Sequence, residues 1–149
     1  MKKMNLKDRL NLQEGELNWC GNAEDVMNRK VESISPNASV LDAIEKLVDN
    51  RIRSLVVEPD PEKDVDYGVV TFRDIILRCL SEGLEPKDLE VKEIATTPVV
   101  YVTRDMGVGG VVKVMKENNL SRVFVKEKDR IVGVIAPLDI VATCLSGEF

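Results

Sequence analysis

A hydroxyl and a carboxylate three residues apart, Thr71 and Asp74, are the side chains best placed for chemistry. Thr71 ends an apolar, β-rich run over residues 68–71, and a helical pattern begins at residue 72. Both polar groups therefore point to one spot near a helix N-terminus, where free N–H groups also favour anions. A carboxylate there can accept two hydrogen bonds from the vicinal hydroxyls of a ribose. The alternative is that Asp74 only caps its own helix.

The same pattern recurs in weaker form over residues 133–139. Asp139 stands where Asp74 does, but Ala136 replaces the hydroxyl residue and Pro137 follows it. Loss of the hydroxyl removes one polar partner, so the sequence predicts one good site and one poor or empty site.

Other kinds of chemistry have little support in the composition. The chain contains no histidine, which removes imidazole acid–base catalysis and histidine-ligated zinc. The acidic loop over residues 60–66 has Val65 where a calcium loop needs glycine. We therefore expect no catalytic residues and no metal site. The cysteines, which are far apart and odd in number, are expected to be reduced, packed thiols: Cys20, Cys79 and Cys144.

Internal repetition supplies the elements that position these residues. Residues 31–35 and 50–57 resemble residues 99–103 and 118–125 at an offset of 68, and residues 68–76 resemble residues 133–141 at an offset of 65. Each copy is predicted to run β-α-β-β-α. Ser39, with Asp42 three residues on, has the spacing of a capping box, and Asp105 is predicted to open the corresponding glycine-rich helix.

One copy is too small to be stable alone, because its sheet has an apolar face that needs a cover. The sequence therefore predicts an α/β (α+β) fold of two tandem repeats packed with pseudo-twofold symmetry. The predicted divisions are an N-terminal arm over residues 1–24, a first motif over 25–84 and a second motif over 85–149. The arm is expected to pack on the repeat or on a second chain.

The charge balance limits the classes of partner. The chain has 149 residues with 21 basic and 26 acidic side chains, a net charge of −5. An acidic balance disfavours nucleic-acid binding, which needs surplus lysine and arginine. No apolar run is long enough to span a membrane, and the N-terminus lacks the apolar stretch of a signal peptide. A cytoplasmic location without membrane contact is expected.

The run Gly-Val-Val-Thr-Phe-Arg-Asp over residues 68–74 resembles the signature of the CBS domain, named for cystathionine β-synthase. That signature is a glycine, two apolar residues, threonine or serine, two variable residues and aspartate. Residues 33–44 are also typical of the family's first strand and helix. The resemblance covers residues 25–145 and occurs twice, which is the arrangement called a Bateman module.

The resemblance implies a composite ligand site shared by the two copies. Thr71 and Asp74 would hold a ribose, and basic or polar side chains of the other copy would meet phosphates. The implied main site comprises Thr71, Asp74, Val99, Val100, Ser121 and Arg122, with the two valines flanking an adenine. The implied weaker site comprises Asp139, Val31, Glu32, Arg53 and Ser54. The Glu32 carboxylate would disfavour an anionic ligand there.

The expected function is that of a regulatory sensor without catalysis, which binds AMP, ADP, ATP or S-adenosylmethionine and requires no cofactor. The resemblance implies a disc-like homodimer that acts on an unidentified effector protein. The glycine-rich helix and the apolar faces near Ile44 and Val112 are the expected interface. Alternatives are a structural dimerisation module with a vestigial nucleotide site, an enzyme subunit or nucleotide hydrolase, and, with less support, a nucleic-acid binder.

Overall fold

The computed structural model describes residues 20–145, which form two compact units. The middle unit is Val31–Val99, and of the described residues the terminal unit combines 20–30 with 100–145. Residues 1–19, most of the predicted arm, lie outside the described residues. Within residues 20–145, no helix is both long and apolar enough to cross a membrane.

The middle unit has the predicted β-α-β-β-α order. It contains β1 (Ser33–Ile34), α2 (Val40–Asn50), β2 (Ser54–Val57), β3 (Gly68–Thr71) and α3 (Phe72–Ile75), which continues as a π-helical turn (Ile76–Leu80). Strand β2 pairs in parallel with β1 and antiparallel with β3. Three short 3₁₀ turns complete the unit at Pro61–Lys63, Pro86–Asp88 and Val91–Glu93. Gly83, at φ 70°, ends the turn that follows the helix.

The terminal unit repeats this order with one addition at its start. It contains α1 (Ala23–Val26), β4 (Tyr101–Thr103), α4 (Val108–Glu117), β5 (Val123–Glu127), β6 (Arg130–Ile135) and α5 (Pro137–Ile140), followed by a π-helical turn (Val141–Leu145). Strand β5 pairs in parallel with β4 and antiparallel with β6. The mixed fold with two three-stranded sheets, predicted from the repeat, is confirmed.

The two main helices begin differently. Ser39 caps α2 as predicted: its Oγ accepts a hydrogen bond from Asp42 N at 3.0 Å. The prediction that Asp105 opens α4 is wrong, because the helix begins at Val108 after the N-cap Gly107. The carbonyl of Thr103 instead accepts a hydrogen bond from Met106 N, which closes a turn before the helix.

A short segment from elsewhere in the chain covers each unit. Residues 90–96, the linker cover, pack on the middle unit, where Val91 N donates to Ala38 O at 2.8 Å. Residues 22–28, the N-terminal cover, pack on the terminal unit, where Ala23 N donates to Met106 O at 2.7 Å. These two bonds are equivalent at the offset of 68. The apolar residues of each cover are buried in the core of its unit.

The compact units therefore differ from the sequence repeats. Each cover precedes one repeat in the sequence but packs on the unit built mainly from the other repeat. The predicted motif limits of 25–84 and 85–149 follow the repeat and stay predictions about sequence organisation. The compact units instead change at Lys30 and at Val99.

Two equivalent glycines let the covers approach the sheets. A Cβ on Gly68 would lie 2.6 Å from Thr97 Cγ2 and 3.0 Å from the carbonyl oxygen of Thr96. A Cβ on Gly133 would lie 2.8 Å from Cγ of Met27. A larger residue at either position would overlap the adjacent cover, so atoms of the cover would have to shift.

The cysteines require a second correction. Cys20 and Cys144 form a disulfide with a Cα–Cα distance of 5.3 Å, so the expectation that both are reduced is wrong. Their separation of 124 residues in the sequence concealed their proximity, because the N-terminal cover begins beside the last described helix. Cys79 is a free, buried thiol as expected. Burial, with a smaller contribution from Glu85, raises its pKa.

Candidate functional site

Thr71 and Asp74 lie together at the junction of β3 and α3. Asp74 Oδ2 accepts hydrogen bonds from Thr71 N at 2.9 Å and from Thr71 Oγ1 at 3.0 Å. Thr71 Oγ1 in turn accepts one from Asp74 N at 3.3 Å. Thr71 and Asp74 therefore cap the helix reciprocally. Asp74 does perform the capping role that was the alternative to ligand binding.

A third polar side chain reaches the same carboxylate. Thr96, from the linker cover, places its Oγ1 3.4 Å from Asp74 Oδ1. Two backbone hydrogen bonds of 2.9 Å between Thr96 and Val69 hold this residue beside β3. Sequence reasoning missed Thr96. The position of Thr96 depends on how the linker cover crosses β3. The one signal in the sequence was the offset of 68, which aligns Thr96 with Asn28.

This cluster can accept and donate hydrogen bonds to a polyol. Asp74 and Thr71 are half-buried, and Thr96 is exposed. A carboxylate has about four lone-pair positions, and three donors from Thr71 and Thr96 engage Asp74. One further donor could bind directly, and a second could replace one of the threonine hydroxyls. The arrangement therefore suits two neighbouring hydroxyl groups.

The other residues of the main site divide between the units. Val99 belongs to the middle unit with Thr71 and Asp74, whereas Val100, Ser121 and Arg122 belong to the terminal unit. Val100 immediately precedes β4, and Ser121 and Arg122 immediately precede β5. Because these strands are parallel, the three residues lie at one end of that sheet. The structure thus groups the residues into two sets, one in each unit.

The weaker site is also distributed over both units. Asp139 is in the terminal unit, and its Oδ2 accepts a hydrogen bond from Ala136 N at 2.7 Å. Ala136 has no side-chain oxygen to return a bond, so only half of the reciprocal cap is present. In the middle unit, Ser54 pairs directly with Thr71 across the sheet. The remaining predicted residues of this site are also in the middle unit: Val31, Glu32 and Arg53.

Glu32 has a partner that the sequence did not reveal. Its carboxylate lies 4.0 Å from Lys46 Nζ, and both side chains are more than a third exposed. The expected repulsion of an anionic ligand by Glu32 is therefore partly offset.

Elsewhere in the part of the chain that the structure describes, no three histidine, cysteine, aspartate or glutamate residues are grouped so as to hold a metal ion.

Comparison with known proteins gives two matches to one family model. The model of the CBS domain matches residues 23–81 and residues 91–145. Hypoxic response protein 1 of Mycobacterium tuberculosis is 28% identical over 118 residues, which are 79% of this chain and 81% of that protein. A protein of Methanopyrus kandleri is 29% identical over 118 residues, which are 78% of this chain and 59% of that protein.

Solved structures include a similar chain from a larger assembly. The hexameric CBS-CP12 protein from bloom-forming cyanobacteria superposes with a TM-score of 0.73 at 32% identity, covering 80% of this chain and 66% of that one. The chain thus spans less than two thirds of the length of both the Methanopyrus protein and the cyanobacterial chain.

Proposed function

Because the chain belongs to the CBS domain family and carries two copies of that domain, we propose that it is a regulatory sensor of an adenosine ligand. AMP, ADP, ATP and S-adenosylmethionine all contain the ribose that Thr71 and Asp74 would bind. The ligand would favour one conformation through different affinity for two states, and so change the affinity for an effector protein.

One observation carries this proposal: the convergence of Thr71 and Thr96 on the two oxygens of Asp74. A helix cap needs only one carboxylate oxygen and one hydroxyl. The additional threonine, brought from a distant part of the chain, leaves a polar cluster that is only partly shielded from solvent. Such a cluster suits a ribose diol, since hydrogen bonds to a carboxylate contribute about 1.5–3 kcal/mol.

The phosphate contacts of this proposal belong to Arg122 and Ser121. An arginine fork matches the geometry of a phosphate and stays charged at every physiological pH. If Arg122 binds the phosphate of the ligand, AMP should bind more tightly than unphosphorylated adenosine. We propose that no chemistry follows binding, so that the nucleotide is recovered intact after long incubation with the protein.

A cytoplasmic location also stays a proposal, which cell fractionation tests.

Thermal unfolding with each ligand tests the sensor directly. A ligand at 100 times its Kd should stabilise the native protein by about 2.7 kcal/mol, a rise in Tm of several degrees. We expect this rise with at least one of AMP, ADP, ATP and S-adenosylmethionine. Asp74→Ala should abolish it, because the ribose would lose its acceptor.

Asp139→Ala is the matched control, because it removes the equivalent bond to a helix N-terminus. Both variants should lose about 1 kcal/mol of stability without ligand. Only Asp74→Ala should also lose the response to ligand. If none of the four ligands raises the Tm of the wild type, or if Asp74→Ala responds fully, the sensor proposal is wrong.

A second candidate function, self-association, has its own observation. The segment after Thr71 exposes several large apolar side chains, each more than a third accessible: Phe72, Ile76, Leu77, Leu80 and Leu84. Exposed apolar patches of this kind mark interaction surfaces. The related cyanobacterial protein is a hexamer. We propose that this chain forms at least a homodimer through that segment.

A further inference from the structure

Both repeats place a cysteine at the same position of the same element. Cys79 and Cys144 are equivalent at the offset of 65 and lie in the two π-helical turns. Both side chains are fully buried. Yet Cys79 is a free thiol, 3.4 Å from Leu84 O, whereas Cys144 is bonded to Cys20. The two repeats therefore allow a disulfide-bonded cysteine to be compared with a free thiol at the same position.

Chain connectivity distinguishes the two positions. In the middle unit, Cys79 is followed within the same continuous chain by the linker cover. In the terminal unit, the N-terminal cover belongs to a separate segment, and Cys20, just before the cover, is 124 residues from Cys144. The linker cover is continuous in sequence with the unit on which it packs. The N-terminal cover is not, and the disulfide next to it joins it to its unit.

The N-terminal cover also has non-covalent contacts, including three buried apolar side chains, Ala23, Val26 and Met27. Its backbone bonds to Met106, Arg104 and Val134, and Glu24 forms an ion pair of 2.8 Å with Arg104. Both partners of that ion pair are more than a third exposed, so water weakens it, and Arg104 also pairs with Glu127 at 2.8 Å. Detachment of the cover would uncover the core beneath Ala23 and Val26 and free the edge of β6 that leads to Asp139.

We propose that Cys20 and Cys144 form a reversible redox site that controls attachment of the N-terminal cover. In the oxidised state the disulfide holds residues 22–28 on the terminal unit. In the reduced state these residues detach and reattach readily, while the linker cover is unaffected. The site senses the balance of small thiols and disulfides, independently of any nucleotide.

The chemistry is thiol–disulfide exchange with a low-molecular-weight disulfide such as oxidised glutathione. The Cys20 thiolate, which is only half-buried, attacks the small disulfide, forms a mixed disulfide and releases one small thiolate. Cys144 then gives up its proton and displaces the second small thiolate. The two protein thiols are oxidised to one disulfide, and the small disulfide is reduced to two thiols. A small dithiol reverses the reaction.

Counting thiols tests the redox site on the full chain. The protein is equilibrated under native conditions in buffers of graded ratio of reduced to oxidised glutathione, then denatured and alkylated for mass analysis. We expect three alkylated cysteines in the most reducing buffer and one, Cys79, in the most oxidising buffer. Cys79→Ser should still form the disulfide, whereas Cys20→Ser should not. Three thiols at every ratio, or a disulfide that survives excess dithiothreitol, overturns the proposal.

Hydrogen exchange tests the structural consequence. The amides of residues 23–28 should exchange at least tenfold faster in the reduced protein and in Cys20→Ser than in the oxidised wild type. The amides of residues 91–96, in the equivalent linker cover, should change less than twofold and serve as the internal control. Equal exchange of residues 23–28 in the two redox states contradicts control of the cover by the disulfide.

Discussion

At the level of single residues, the signature glycines have a mechanical role. Gly68 and Gly133 stand where a cover crosses the sheet, and hydrogen atoms in place of side chains let the two backbones pair. For Gly68 this contact also places Thr96 beside Asp74. The glycine and the aspartate of the signature are therefore parts of one arrangement, the first admitting the cover and the second receiving its hydroxyl.

Gly68→Ala should destabilise the protein by about 1–3 kcal/mol, because the added methyl would overlap Thr97 and crowd the backbone of Thr96. Urea unfolding followed by circular dichroism measures this loss. Gly110→Ala is the control: its Cβ would meet only the flexible Met106 side chain at 3.1 Å, and alanine favours the helix by up to about 1 kcal/mol. Equal effects of the two substitutions would contradict the role of Gly68.

The site residues differ in how far sequence could predict them. Thr71 and Asp74 are three residues apart, so local geometry alone brings them together. Thr96 is 22 residues from Asp74, and its contact depends on a crossing that no local pattern encodes. Cys20 and Cys144 are an extreme case of the same difficulty. The pairing of distant residues was thus the part that sequence reasoning could not supply.

At the level of secondary-structure elements, the helix after Thr71 and its π-helical turn expose more large apolar side chains than any other element within residues 20–145. Sequence periodicity instead pointed to an interface near Ile44 and Val112. Both residues are partly buried and pack against the cores of their own units. Periodicity identifies an apolar face but not what covers it. The exposed side chains of α3 and its π-helical turn therefore form the better candidate for contact with a second chain.

Ile76→Ser should weaken self-association at least tenfold, because it replaces an apolar side chain that is 53% exposed in the single chain. Sedimentation velocity over a range of concentrations measures the change. Val48→Ser, at a position 58% exposed on α2 of the same unit, is the matched control and should have little effect. A monomeric wild type, or equal weakening by both variants, would exclude this interface.

At the level of the whole molecule, the repeat of the sequence and the compact units of the structure do not coincide. Sequence comparison correctly divides the chain into two copies of one motif. The first residues of each copy nevertheless belong to the compact unit that is built mainly from the other copy. A repeat copied intact therefore lacks part of its own core, and this part must come from the neighbouring repeat.

A pair of fragments tests this interpretation. The fragment over residues 31–99 contains the core of the middle unit together with Val91 and Ile94, both buried in that core. The fragment over residues 25–84 follows the sequence motif and lacks these two residues. We expect more secondary structure and slower proteolysis in the first fragment, as measured by circular dichroism and trypsin digestion. Equal order in both fragments would show that the cover is dispensable.

The division into one continuous and one discontinuous unit has a consequence for synthesis on the ribosome. All residues of the middle unit have been translated once Val99 is added, so this unit can fold while the rest of the chain is being made. The N-terminal cover is translated before the rest of its unit and meets its partner strands and helices only after residues 100–145 emerge. During that interval Cys20 has no Cys144 to join, so its thiol is open to the small disulfides of the compartment in which the chain is made.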